Sequence, residues 1–264
     1  MRDEIKATLG IYKWPSQAFW RSLEVRALQQ IEYERPILEI GCGDGRLSAL
    51  IFKEIDAGID INPRSIDKCR RISGRLYAEL RCGDARNLSA LEPKYRTIYA
   101  NCVLEHIPDI ERVLVACWRG LRPGGKLVAT VPLIQMNDHL LFSWRWYAEM
   151  RQQQLVHINL FTQEKWEAIL RAAGFQRIEF RPYLSGAACR FWDSIDAPGA
   201  LGIGRYRAAV VLGRTASKLL PPGVKDLGVN RMSRWLAQRA ESHGESGPAC
   251  AVVVIAYKAV EDGQ

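Results

Sequence analysis

Two periods of apolar positions alternate along the chain. Phe19, Leu23, Ala27 and Ile31 recur every four residues behind Pro15, which predicts an N-terminal helix over Trp14–Ile31. The pattern then shortens. Pro36–Ile40 is an apolar run too brief for a helix, and it ends in Gly41-Cys-Gly-Asp-Gly45. A helix is expected next over Arg46–Lys53, then a strand over Ala57–Asp60, a helix over Pro63–Ser73 and a strand over Glu79–Cys82. Arg96–Cys102 predicts a fourth strand, Ile110–Gly120 a helix, and Lys126–Val131 a fifth strand after the turn Arg122-Pro-Gly-Gly125. Strands alternating with helices at this spacing define an α/β fold, a parallel sheet with helices on both faces.

The second half departs from that alternation. Leu133–Val156 is rich in aromatics (Phe142, Trp144, Trp146, Tyr147) and reads as irregular, either core or a lid over a pocket. Thr162–Ala173 predicts a helix with Thr162 as its N-cap and Gly174 just past its end. Phe175–Tyr183 and Ala249–Ala259 predict the last two strands, and no internal repeat separates them.

Composition narrows the class. The chain has 264 residues, 48% hydrophobic and 25% charged, so it is neither disordered nor collagen-like and can bury a core without covalent staples. The apolar runs Ala208–Gly213 and Ala249–Tyr257 are too short to cross a bilayer, and the acidic start MRDEIKATLG predicts no secretory signal. Seven cysteines are scattered with no Cys-x-x-Cys pair, which predicts free thiols, no zinc site and a cytoplasmic setting. The net charge is +8, and residues 201–240 hold eight basic side chains against one acid, Asp226. At 100° per residue, Arg207, Arg214 and Lys218 fall on one side of a helix over Arg205–Leu220, ended by Pro221-Pro222-Gly223. Such a helix either shows a solvated row of charge or lies on an anionic membrane surface.

The glycine cluster carries the chemistry. A strand running into a glycine-rich turn lets backbone N–H groups face a ligand closely. Asp60 ends the next strand 19 residues after Gly41, where a carboxylate can accept from both hydroxyls of a ribose. This much suits a nicotinamide dinucleotide, but the spacing is G-x-G-x-G rather than G-x-G-x-x-G. Gly83-Asp84-Ala85 then adds a carboxylate placed to meet an adenine amino group.

In order, Leu38-Glu-Ile-Gly-Cys-Gly-Asp-Gly45, Gly58-Ile-Asp60, Gly83-Asp-Ala85, Asn101-Cys-Val-Leu-Glu-His-Ile-Pro108 and Leu121-Arg-Pro-Gly-Gly-Lys126 resemble the successive motifs of class I S-adenosylmethionine-dependent methyltransferases. The resemblance covers about residues 35–132, and His157-Ile-Asn-Leu-Phe-Thr162 with Ala173-Gly-Phe175 extends it. It implies a Rossmann-like, doubly wound, mostly parallel seven-stranded sheet with an antiparallel last strand. One domain is expected over 1–264: a helical cap (1–35), a cofactor-binding half (36–132), an acceptor-side segment (133–183), a basic helical insertion (184–247) and the last strand (248–259). The implied cofactor is S-adenosyl-L-methionine. Glu39 would meet its amino group, Gly41, Cys42, Gly43 and Gly45 would form the turn against it, and Asp60 with Ile61 would take ribose and adenine. Asp84 and Ala85 would read the adenine edge, and Asn101 would close the far side.

A sulfonium methyl is already activated, so the enzyme aligns a nucleophile and removes its proton where needed. His106, after strand four, and His157 are the candidate bases, with Glu105 beside the first; no metal is expected. The expected reaction is O-methylation of a small-molecule acceptor, such as a sugar or glycan, lipid-linked or natural-product intermediate. An RNA methyltransferase is the alternative, disfavoured because no RNA-binding module is recognisable; an NAD-binding oxidoreductase ranks below it. Nucleic acid and an obligate protein partner are not expected, and peripheral contact with an anionic membrane through residues 201–239 stands beside a solvated charge row as one of two readings of the basic segment.

Overall fold

In the computed structural model, which describes residues 1–12, 14–90, 94–202, 222–243 and 247–260, the apolar runs become a seven-stranded sheet. Its strands are β1 (Ile37–Ile40), β2 (Ile55–Asp60), β3 (Tyr77–Cys82), β4 (Tyr95–Asn101), β5 (Leu121–Pro132), β6 (Arg177–Ser185) and β7 (Ala249–Tyr257), in the order β3-β2-β1-β4-β5-β7-β6. All four residues of β1 are buried. That is the signature of a central strand covered on both faces, with parallel β2 and β4 as its neighbours. β7 pairs antiparallel with β5, Val128 opposite Ile255. This is the Rossmann-like order implied by the sequence motifs, and it sets the carboxyl ends of β1, β2, β3 and β4 along one edge, where open α/β sheets bind ligands.

The chain forms two compact units. The sheet unit comprises Ala27–Ile134, His157–Tyr183 and the chain from Ala251. Within it α3 (Pro63–Ser73) starts where expected, Asn62 accepting the Arg64 amide at 3.0 Å and Pro63 filling the first helical position. Two further helices, α4 (Ile110–Gly120) and α6 (Gln163–Ala172), also stand within a residue of expectation; Thr162 caps α6 through the Lys165 amide.

The helical unit comprises Met1–Arg26, Gln135–Val156 and Leu184–Cys250. It contains α1 (Arg2–Ile11), most of α2 (Pro15–Leu28), α5 (Arg145–Leu155), α7 (Gly186–Ala200) and α8 (Pro222–His243). Edge-to-face aromatic pairs form its core: Phe19 with Phe191 and Trp20 with Trp192, each with ring centroids 4.9 Å apart. Buried Arg151 pairs with Asp193 at 2.9 Å and Asp196 at 2.7 Å. The Tyr147 hydroxyl and the Leu141 amide donate to Asp193, and Ser16 donates to Asp196. Charges removed from water persist only when held in this way.

Several elements differ from the sequence reading. α1 was not foreseen: its first turn carries Asp3 and Glu4, which favour a helix start, and Ile5 and Thr8 are its buried contacts. The expected Arg46–Lys53 helix is only a short 3₁₀ turn, Ser48–Leu50, because the Ser48 hydroxyl is drawn under the sheet to Glu39. The aromatic stretch expected to be irregular is a 3₁₀ turn (Ile134–His139) followed by α5, whose start is strengthened by Arg145 donating to Glu149 one turn on. Pro222, within the Pro221-Pro222-Gly223 expected to end the preceding helix, opens α8. The basic helix expected over Arg205–Leu220 falls on residues outside those described.

Candidate active site

Three glycines of the β1–β2 end have three different reasons to be glycine. Gly41 has φ +71°, its amide donates to the Ile59 carbonyl at 2.7 Å, and a Cβ there would lie 2.3 Å from Cγ2 of Val103. Gly43 has φ +56° and open space around it, with its amide turned to Oδ2 of Asp60 at 2.9 Å. Gly45 packs against α3, where a Cβ would meet Ser73 at 2.7 Å. The first of these fixes the close approach of β1 to the loop after β4; the second aims an N–H at the acid of β2.

Glu39, in β1 beneath this turn, is buried. Ser48 donates to its Oε1 at 2.6 Å and Tyr77 to its Oε2 at 2.7 Å. Burial pushes its carboxyl up to about 7, outweighing these two hydrogen bonds, which favour the charged form. Cys42 is also buried, and burial pushes its thiol up. Neither side chain lines the open cleft.

That cleft, about 260 Å³, opens at the strand ends of the sheet unit. Gly41, Asp60, Ile61, Asp84, Ala85 and His106 all line it, so six of the residues read from the sequence converge. Asp60 is preset by backbone donors, Gly43 on Oδ2 and Asn62 on Oδ1 at 2.8 Å. Asp84 is held by Arg86 in a fork, Nη2 to Oδ2 at 2.6 Å and Nε to both oxygens, and this hydrogen bonding holds its carboxyl below the usual range. Ile61 is 66% exposed, and with Ile107 and Pro108 it offers apolar walls for a flat ring. Asn101 does not line the cleft; its Oδ1 accepts from Thr130, whose Oγ1 also accepts the Cys102 amide.

The loop after β4 is bracketed by two non-glycine residues in the left-handed region, Cys102 (φ 48°) and Asp109 (φ 55°). Between them Leu104–His106 forms a 3₁₀ turn. Asn159, buried, ties it down: its Nδ2 donates to the Leu104 and Ile107 carbonyls, each at 2.7 Å. The Ile158 and Asn159 amides donate to the Glu105 carbonyl at 2.8 and 2.9 Å. This clamp brings His157, just after left-handed Val156 (φ 58°), beside His106, with ring centroids 5.6 Å apart. Glu105 is 1% exposed, its Oε1 3.7 Å from Nε2 of His106.

Sequence reasoning passed over Arg86, Val103 and the Asn159 clamp. Arg86 stood two residues after Asp84, a readable cue for a local carboxylate fork; the clamp joins residues far apart in sequence and left no local signal.

Comparison with known proteins places the chain in a family. Residues 16–179 match the family model described as a methyltransferase domain. A trans-aconitate 2-methyltransferase of Deinococcus radiodurans is 31% identical over 128 residues, 45% of this chain and 46% of that protein. A ubiquinone biosynthesis O-methyltransferase of Coxiella burnetii is 32% identical over 104 residues, 38% of this chain and 44% of that protein. The chain thus spans about half the length of these curated relatives. Among solved structures, a SAM-dependent methyltransferase of Thermotoga maritima, a possible histamine N-methyltransferase, aligns with 91% of this chain and 89% of its own. Its TM-score is 0.57 at 18% identity. Phosphoethanolamine N-methyltransferase 2 of Haemonchus contortus, solved with phosphomonomethylethanolamine and S-adenosylhomocysteine, gives a TM-score of 0.58 at 15% identity, covering 89% of this chain and 52% of its own. The chain belongs to the methyltransferase-domain family and has the fold of class I S-adenosylmethionine-dependent methyltransferases.

Proposed function

We propose that the chain binds S-adenosylmethionine in the strand-end cleft and transfers its methyl group to an oxygen of a small-molecule acceptor. The observation that carries this reading is the convergence of Asp60 and Asp84, from the ends of β2 and just past β3, on one cleft with Gly41 and His106. Asp60, with both oxygens already aligned by backbone amides, accepts from the two ribose hydroxyls. Asp84 accepts the adenine amino group between Ile61 and the Ile107-Pro108 wall. Glu39 is the buried carboxyl behind the turn, on the side of the methionine ammonium.

The transfer is a displacement in which the acceptor oxygen attacks the methyl carbon opposite the departing sulfur. His106, at the rim of the cleft, and His157 beside it are the groups placed to take the acceptor proton. The ubiquinone relative supports oxygen as the acceptor atom, and the acceptor classes in view are a sugar or glycan, lipid-linked or natural-product intermediate.

A peripheral contact with anionic membrane suits a lipid-linked acceptor. Among the described residues of the basic segment, α8 exposes Arg231 and Arg234 together with Leu227, Val229 and Met232. That combination of cationic and apolar groups fits the headgroup layer. No described helix is long and apolar enough to cross a membrane.

The test is calorimetry with S-adenosylmethionine and S-adenosylhomocysteine, followed by labelled-methyl transfer into cell extract partitioned between organic, aqueous and nuclease-treated RNA fractions. Cofactor binding with label in a small-molecule fraction supports the reading; label released by nuclease, or NAD bound in place of the sulfonium, overturns it.

A further inference from the structure

Resting on the methyltransferase reading, we propose that the exposed indoles of Trp144 and Trp146, with the cavity beside Trp144, form a saccharide-binding subsite for a glycan-bearing acceptor. Tryptophan is mostly buried in folded chains, yet each of these indoles is 54% exposed. Neither stands singly. Phe142 and Trp144 stack with ring centroids 4.9 Å apart and planes 5° apart, and Trp144 and Trp146 stack at 5.7 Å. Phe142 and Trp146 also stand edge-on to buried Tyr147, whose hydroxyl donates to Asp193. The ladder is thus anchored to the helical unit at its base, while its indoles meet water.

The cavity that Trp144 walls is about 540 Å³ and is lined by residues of the helical unit alone. That volume is within the roughly 300–1,000 Å³ of ligand sites. Ala148, Glu149 and Gln152 lie three, four and seven residues on from Arg145, so all four share one side of α5 at the cavity. The small Ala148 leaves room between its longer neighbours. Asn137 and Asp138 line the cavity from the Ile134–His139 turn. Gln152 donates to Asn137 at 2.6 Å and so ties the helix to the turn at the cavity wall.

This set of groups selects a saccharide. A pyranose has a face of C–H groups, positively polarised, that suits the negative face of an indole, and a rim of hydroxyls that each donate and accept. The Asp138 carboxylate accepts, and side-chain amides such as that of Gln153 both donate and accept. Charge decides against other ligands that stack on tryptophan. Arg145 donates to Glu149 at 2.8 Å, so these two charges answer each other, and Asp138 leaves one negative charge in excess around the cavity. Nucleobases bring phosphates that need a basic groove, and an anionic membrane asks for the same cations. A neutral polyhydroxyl ligand asks for neither. The ladder also runs on from Trp144 to Trp146, which suits an oligosaccharide with one ring in the cavity and the next over Trp146.

The experiment applies the fluorescently labelled full chain to a broad array of neutral and charged oligosaccharides, then titrates a retained glycan against tryptophan emission. Neutral oligosaccharides should be retained. Trp144→Ala and Trp146→Ala should each weaken that binding by about 10-fold or more, with far-UV circular dichroism showing that each variant folds. Asp138→Ala, exposed and outside the ladder, should weaken it as well and reads the site independently of ring packing. A parent chain that retains no glycan, or folded variants that all bind as the parent does, overturns the subsite. Retention of single-stranded RNA or phosphatidylcholine vesicles in place of glycans overturns it too. S-adenosylhomocysteine affinity of the same preparation is measured by calorimetry. Cofactor binding with no glycan retained removes the subsite and leaves the methyltransferase reading, whereas glycan binding without cofactor binding removes that reading and leaves a saccharide-binding face.

Discussion

The Gly43 amide donates to Oδ2 of Asp60 at 2.9 Å, so the glycine turn after β1 and the acid ending β2 are one hydrogen-bonded unit. Asp60→Ala deletes the proposed ribose acceptor and this tether together. Affinity for S-adenosylhomocysteine should fall by about 1.5–3 kcal/mol, roughly 10–150-fold, since the acceptor is charged. Calorimetry showing unchanged affinity would remove Asp60 from the cofactor site.

Gly41 and Gly43 should respond differently to the same added methyl group. Gly41→Ala combines a left-handed backbone with a Cβ 2.3 Å from Val103. Gly43→Ala meets nothing within 4 Å and carries only the backbone cost, about 1–2 kcal/mol. Overpacking adds about 1–3 kcal/mol at Gly41. Urea unfolding of the two variants checks the order; equal midpoints would mean that Val103 yields freely.

Glu39 makes stability depend on pH in an uncommon direction. Its carboxyl is raised from 4.5 to about 7 in the folded chain, so the folded state keeps a proton that the unfolded state has released. The stability it contributes is whole below pH 4.5 and is lost as pH rises through about 7, at most about 3 kcal/mol. Glu39→Gln should flatten that part of the pH profile of the urea midpoint. A Gln variant whose profile keeps the parent's slope between these limits would show that burial does not raise the Glu39 carboxyl.

The exposed arginines of α8 should bind anionic vesicles in low salt, each contributing roughly 1 kcal/mol near the surface. Sedimentation with phosphatidylserine vesicles should show binding that raised salt weakens and that Arg231→Glu with Arg234→Glu abolishes. No binding at low salt would leave α8 with a solvated charge row.

The legible parts of the fold were those whose cues are local. α3 announced itself by Asn62 and Pro63, α6 by Thr162 and Gly174, and β7 by an unbroken apolar run. α5 was hidden because tryptophans dominate its start while its helical cue is a single Arg145–Glu149 pair. The Ser48 turn was misread as a helix because the bond that anchors its first residue reaches Glu39, in another part of the chain. The site divides in the same way. Asp60 and Asp84 follow strand ends and can be found by counting, whereas the meeting of His106 with His157 depends on Asn159 folding back on a loop more than fifty residues earlier.

The placement of β7 between β5 and β6 has a consequence for biosynthesis. A ribosome delivers β6 by residue 185, yet β7, the strand beside it, begins at residue 249. At about 5–20 residues per second the emerging chain holds β5 and β6 without their shared neighbour for several seconds. The parallel part from β3 to β5 can assemble during that interval, but one edge of β5 stays open until the last strand is inserted. Nascent chains stalled before residue 249 should therefore recruit chaperones more strongly than chains that carry β7, because the open edge of β5 is closed only when that strand arrives.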